Sequence, residues 1–113
     1  MLKYDKREEG DVIVFSLKGN LDALTAPDLK EEIESLMAAR KIHVVFDLED
    51  LELIDSSGVG AIVSLFKRVR TVQGDVKIAR LRGQPSEIFK LLRLDRAFEL
   101  FETVEQAIQR FQS

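Results

Sequence analysis

The hydrophobic and polar positions change rhythm several times along this chain. Val12-Ile13-Val14-Phe15-Ser16-Leu17 is apolar and rich in β-branched residues, which predicts a strand over about 11–18. Leu2 to Arg7 is a weaker and more polar strand, as an edge would be, and Glu8-Glu9-Gly10-Asp11 offers a hairpin turn between them. Ile42 to Leu48 is nearly continuous in apolar residues, so it reads as a strand buried on both faces. Val76 to Ala79 is a further strand, and Phe98 to Phe101 a short last one.

Between the strands the period lengthens to that of a helix. Leu29, Ile33, Leu36 and Met37 share one face, and Thr25-Ala26-Pro27-Asp28 before them predicts a capping box. Val59, Ile62, Val63, Phe66 and Val69 form a second stripe, closed by Lys67, Arg68 and Arg70, with Gly74 expected just past the helix end. Ile88, Leu91 and Leu92 follow Pro85 as a shorter helix. Val104, Ala107, Ile108 and Phe111 form a fourth, opened by Thr103 with Gln106 three residues on. An initial hairpin followed by alternating strands and helices predicts an α/β fold: a four- to five-stranded mixed sheet, its later strands parallel, with about four helices mainly on one face. In such sheets ligands and partners meet the carboxyl ends of the parallel strands. Here those are the expected loops Gly19–Leu24, Glu49–Ser57 and Leu81–Gln84.

Composition narrows the class. The chain has 113 residues, which suits one domain, 1–113. It has no cysteine and one histidine, His43, which excludes disulfides, thiolate zinc and multi-histidine metal sites. No apolar run approaches a membrane span, and the N-terminus does not read as a signal peptide, so a cytoplasmic protein without membrane contact is expected. The net charge of −3 argues against nucleic-acid binding. It is unevenly spread: residues 1–60 carry 14 acids and 7 bases, and residues 61–113 carry 6 acids and 10 bases. Two solvated faces account for this; so does an acidic docking edge in the first half.

The segment with most chemistry is Asp55-Ser56-Ser57-Gly58-Val59-Gly60, which follows a buried strand and opens a helix. It places two hydroxyls and a carboxylate at a helix N-terminus, where backbone N–H groups are free and the dipole is positive. A hydroxyl there can cap the helix, and a phosphate is stabilised by the same donors. Glycines side by side in the first turn suggest close approach to the backbone, although Asp, Ser and Gly also fill ordinary strand-to-helix turns. Val63 stands where a dinucleotide fingerprint needs its third glycine or alanine, and no Gly-Lys-Ser or Gly-Lys-Thr phosphate loop is present. His43 lies more than ten residues before Ser56 on the strand leading to this loop, too far to activate a serine. Asp47, Glu49, Asp50, Glu52 and Asp55 are crowded but lack a glycine-centred calcium loop, and read as solvated acids.

Asp55-Ser56-Ser57-Gly58-Val59-Gly60, after Phe46-Asp47-Leu48-Glu49-Asp50-Leu51, resembles the signature of the anti-sigma factor antagonists, which are STAS domains (sulphate transporter and anti-sigma factor antagonist). Gly19-Asn20-Leu21-Asp22 followed by Thr25-Ala26-Pro27-Asp28-Leu29 resembles the family's second motif, and the likeness spans essentially the whole chain. Asn20 stands where the family commonly has glutamate. The resemblance implies a non-enzymatic partner switch without a cofactor. The unmodified antagonist binds an anti-sigma factor serine kinase and frees a sigma factor; phosphorylation releases it; a PP2C-type phosphatase restores it. By the same resemblance Ser56 is the phosphorylated residue, with Ser57 the second choice, and Asp22, Asp55, Ser57, Gly58, Val59 and Gly60 form the docking surface of a monomer. Two other roles fit the family: a scaffold subunit without a switch, as in a stressosome or lipid-transport complex, and a partner switch controlling motility or secretion. A small-ligand sensor would need a pocket beside the Ser56 loop.

Overall fold

A computed structural model describes residues 1–112. The chain runs β1 (Leu2–Glu9), β2 (Val12–Leu21), α1 (Ala26–Ala38), β3 (His43–Ile54), α2 (Ser56–Arg70), β4 (Asp75–Ala79), α3 (Gly83–Leu91), α4 (Leu94–Ala97), β5 (Leu100–Phe101) and α5 (Val104–Gln112). The strands form one sheet in the order β1-β2-β3-β4-β5; β1 and β2 are antiparallel and the later neighbours parallel. The hairpin turn is Gly10-Asp11, with Gly10 at φ 65°, a left-handed conformation that glycine adopts without a Cβ penalty.

Strand alternation divides the core in two. Ile13, Phe15, Leu17, Val44, Phe46, Leu48, Val76 and Ile78 face α1, α2 and α3, and α4 adds Leu94 at the margin of the same layer. Val12, Val14, Val45 and Ala79 face the other way and are covered by Val104 and Ala107 of α5. Four helices therefore share one face, and the last helix closes the other. β3 is central and buried on both sides, as its continuous apolar run requires.

Several local expectations are corrected. The strands run further than the apolar clusters suggest: β2 continues to Leu21 and β3 to Ile54, so residues 49–54 are strand and not loop. Their polar residues point outward while Leu51 and Ile54 are buried, and two register shifts between β2 and β3 keep the ladder paired. Thr25 does not form the expected capping box. Its hydroxyl donates to Asn20 O at 2.9 Å and accepts from Asp22 N at 2.9 Å, and it makes no cap bond to α1. The box of Thr103 and Gln106 does form, with both reciprocal bonds in place. Gly74 is not the left-handed residue after α2; Gln73 is, at φ 69°. Gly74 instead packs so closely that a Cβ would lie 2.3 Å from Ile42 O.

Asp47 is not a solvated acid. It is only 6% exposed, and Arg80 donates to both its oxygens, Nε to Oδ1 at 3.0 Å and Nη2 to Oδ2 at 2.6 Å. Burial alone would raise the Asp47 pKa, but the Arg80 hydrogen bonds, the Glu49 backbone N–H, the Arg80 charge and the Ser16 hydroxyl together hold it below the usual value. Among the described residues no cluster of three or more His, Cys, Asp or Glu could hold a metal ion. His43 opens β3 and lies 5.1 Å, ring to ring, from Phe111 of α5, as a packed strand residue.

Candidate functional site

The carboxyl ends of β2, β3 and β4 bring three loops together. The central one is the turn from β3 into α2, and its N-cap is Asp55. Asp55 is extended (φ −111°, ψ −173°), and its Oδ1 accepts from Gly58 N at 3.0 Å. Its Oδ2 accepts from Ala23 N at 3.1 Å, and its own backbone N–H donates to Leu21 O at 3.2 Å. One residue thus caps α2 and ties it to the loop after β2. The helix dipole and the two amides satisfy the carboxylate there.

Asp22 organises the neighbouring loop. Its Oδ1 accepts from Leu24 N at 3.0 Å and Thr25 N at 3.2 Å, and its carbonyl accepts from Thr25 N and Ala26 N. This Asx turn leads the chain into α1, whose first N–H, from Ala26, goes to the Asp22 carbonyl, with no side-chain cap on the helix. A consequence is that Leu24 is thrust outward, 89% exposed, one residue from the Ala23–Asp55 bond. The third expected loop, Leu81–Gln84, is shorter than expected, because α3 already begins at Gly83. From the first turn of that helix Gln84 reaches back to the end of β3, where Ile54 N donates to its Oε1 at 2.9 Å and its Nε2 donates to Ile54 O at 3.0 Å. The amide occupies the place of an adjacent strand and fixes β3 where it turns into α2.

Ser56 and Ser57 are the first two residues of α2. Because Asp55 is the cap, neither hydroxyl makes a hydrogen bond among the described residues, and their backbone N–H groups likewise have no acceptor there. Ser56 is exposed and Ser57 half-buried. The two glycines differ sharply. A Cβ on Gly58 would lie 2.5 Å from Leu21 O, 2.7 Å from Leu21 Cγ and 2.8 Å from Ile54 Cγ1. A Cβ on Gly60 would meet nothing within 4 Å. The close approach at Gly58 is therefore to the protein's own β2 and β3, and Val59 is buried as well at 8% exposure. Of the residues expected on a docking surface, Asp22, Asp55, Ser57 and Gly60 reach solvent beside Ser56, whereas Gly58 and Val59 shape the turn from within.

Periodicity and motif reading missed Leu24 and Gln84. Leu24 carries a weak sequence signal, an apolar residue outside the stripe of α1. Gln84 carries none, because its partners lie 30 residues away.

The fold and this arrangement can be set beside known proteins. The STAS domain model matches residues 3–107. The chain belongs to the STAS domain family. A relative from Listeria monocytogenes named anti-sigma-B factor antagonist is 30% identical over 95 residues, 84% of this chain and 83% of the relative. The crystal structure of an anti-sigma factor antagonist from Mycobacterium paratuberculosis superposes on this STAS domain with a TM-score of 0.90 at 21% identity, covering 100% of this chain and 96% of that one. The phosphorylated form of the Bacillus cell fate determinant SpoIIAA gives 0.79 at 21% identity, covering 96% and 99%. No helix among the described residues is long and apolar enough to cross a membrane.

Proposed function

We propose that this STAS domain is an anti-sigma factor antagonist that binds an anti-sigma serine kinase while Ser56 is unmodified and is released when Ser56 is phosphorylated. The observation that carries the reading is the state of Ser56: an exposed hydroxyl at the start of α2, engaged in no hydrogen bond among the described residues, on a turn tied down by Asp55. The names of the relatives support the antagonist role, and a structural neighbour known in a phosphorylated form supports the modification.

The chemistry follows from the turn. The Ser56 oxygen takes the γ-phosphoryl group of ATP, its proton passes to a base of the kinase, and ADP leaves. A PP2C-type phosphatase returns serine and inorganic phosphate by hydrolysis. The phosphoryl group adds about −1.5 to −2 charges. Among the described residues no hydrogen bond is lost, because the hydroxyl makes none there. The free Ser56 and Ser57 amides and the helix dipole favour the anion, so the fold tolerates it. A kinase surface packed on Ser56, Gly60 and the projecting Leu24 meets instead a bulky dianion beside Asp55 and Asp22. The switch is an interface event with no change of fold.

The kinase supplies the cation and the nucleotide; this chain supplies the rigid turn and the hydroxyl. Intact mass after incubation with ATP, magnesium and the cognate anti-sigma kinase tests the reading. One added phosphoryl group is expected on the native protein and on Ser57→Ala, and none on Ser56→Ala. Modification that survives Ser56→Ala and disappears in Ser57→Ala would move the switch to Ser57. No modification of any of the three would refute it.

A further inference from the structure

The outer edge of β1 is the longest free edge in the fold: β1 ends the sheet order, spans eight residues, and is exposed from Lys3 to Glu9. Its two faces differ. Tyr4 and Lys6 bend toward α1, where Tyr4 Oη and Lys6 Nζ both donate to Glu32, at 3.1 and 2.9 Å. The other face presents Lys3, Asp5, Arg7 and Glu9, a strict alternation of positive and negative charge in which Arg7 Nε donates to Glu9 Oε2 at 3.3 Å, an exposed pair that can exchange for partners across a second strand. Edge strands commonly carry charge to discourage strand addition, and that works because like charges would meet. An alternating row behaves differently against a copy of itself.

We infer that β1 pairs antiparallel with β1 of a second copy of this chain, joining two sheets into one ten-stranded sheet across a two-fold axis at Lys6. In an antiparallel pair, residues directly opposite point to the same face. Centred on Lys6, the pairing sets Lys3 opposite Glu9, Asp5 opposite Arg7, Arg7 opposite Asp5 and Glu9 opposite Lys3, so all four positions meet an opposite charge. Sliding by two residues one way sets Lys3 on Arg7 and Asp5 on itself. Sliding the other way sets Asp5 on Glu9 and Arg7 on itself. The register is thus specified by charge as well as by overlap. On the opposite face the two Lys6 side chains meet, but each is already paired with its own Glu32. The far edge of the sheet, β5, is two residues long and cannot offer a comparable head-to-tail partner. The closed two-fold arrangement is therefore favoured over an open filament.

A single strand-to-strand contact is small beside the ~1,200 Å² or more of stable interfaces, so the dimer is weak and depends on concentration and salt. This departs from the monomer expected from sequence, and it does not depend on the role of Ser56. Sedimentation velocity from about 10 μM to about 1 mM at low salt is the test, with circular dichroism confirming that each variant is folded. The native protein is expected to shift toward dimer mass over this range and to return to monomer in about 1 M salt. Asp5→Arg puts a cation opposite Arg7 at two symmetric positions and should weaken association about tenfold or more. The exchange Asp5→Arg with Arg7→Asp restores opposite charges and should recover the dimer. A monomer throughout, a dimer indifferent to Asp5→Arg, or a charge exchange that fails to restore association would each overturn the inference.

Discussion

Gly58 and Gly60 are two residues apart in the first turns of α2, and the same substitution should move stability in opposite directions at the two. In a helix interior alanine is favoured over glycine by about 1 kcal/mol, somewhat less near an end. At Gly60 nothing opposes that gain, since a Cβ would find no atom within 4 Å. Gly60→Ala should therefore stabilise by about 0.5–1 kcal/mol. At Gly58 the same methyl group would sit 2.5 Å from Leu21 O and under 3 Å from side-chain atoms of Leu21 and Ile54. Leu21 O accepts the Asp55 backbone N–H, so relieving the clash pulls on the bond that anchors the turn. Overpacking of this kind costs about 1–3 kcal/mol. Set against a helix gain below about 1 kcal/mol, Gly58→Ala should destabilise by about 1–2 kcal/mol. That corresponds to a fall in Tm of roughly 4 °C or more for a domain of this size. Urea titration of the native protein and both variants gives the two free energies directly. Stabilisation by both alanines, or two shifts that agree in sign and size, would refute the close packing at Gly58 as the cause.

Other consequences concern the loops and the buried ion pair. Asp55→Ala should destabilise by about 1–2 kcal/mol in urea titration, because it removes the cap on Gly58 N and leaves Ala23 N without its acceptor; Asp55→Asn should recover most of that loss. Arg80→Ala leaves a buried carboxylate unpaired and should cost about 2–4 kcal/mol near pH 7. Because the Asp47 pKa is lowered on folding, its contribution is whole above the ordinary carboxylate value near pH 3.9 and is lost as pH falls through the depressed one. The native protein and Arg80→Ala should therefore converge in stability in acid titrations below about pH 4. Ser56→Asp should keep native stability within about 1 kcal/mol by thermal melt while weakening kinase binding.

How far the sequence reveals this fold depends on the range of the interaction. Local signals were legible. Glu8 to Asp11 marks the hairpin, although β1 runs on to Glu9 and leaves only Gly10-Asp11 in the turn; the Val59-to-Val69 stripe marks α2, and Thr103 with Gln106 marks the start of α5. The continuous apolar run of β3 already required cover on both faces, which α5 supplies through Val104 and Ala107. Signals that depend on a distant partner were not legible. Glu49 to Ile54 looks like a polar loop until β2 is laid beside it. Asp47 looks solvated until Arg80, 33 residues on, closes over it. The same division runs through the site. Ser56 and Asp55 stood out by residue type and position, whereas Gly58 serves the protein's own packing and not a partner's approach. The pattern at Thr25 predicts a side-chain cap on α1, but no side chain caps that helix; the Thr25 hydroxyl turns back to Asn20 and Asp22, and the Asp22 carboxylate binds two amides of its own turn.

The proposed switch makes one claim above the rest: a phosphoryl group on Ser56 changes the interface and leaves the fold alone. The direct measurement is the calorimetric affinity of the cognate anti-sigma kinase for the unmodified and the Ser56-phosphorylated protein, with a thermal melt of each form. Affinity should fall at least about tenfold, or about 1.4 kcal/mol, on phosphorylation, while Tm moves by no more than a few degrees. Equal affinity of the two forms, or a loss of affinity that tracks a collapse in Tm, would contradict it.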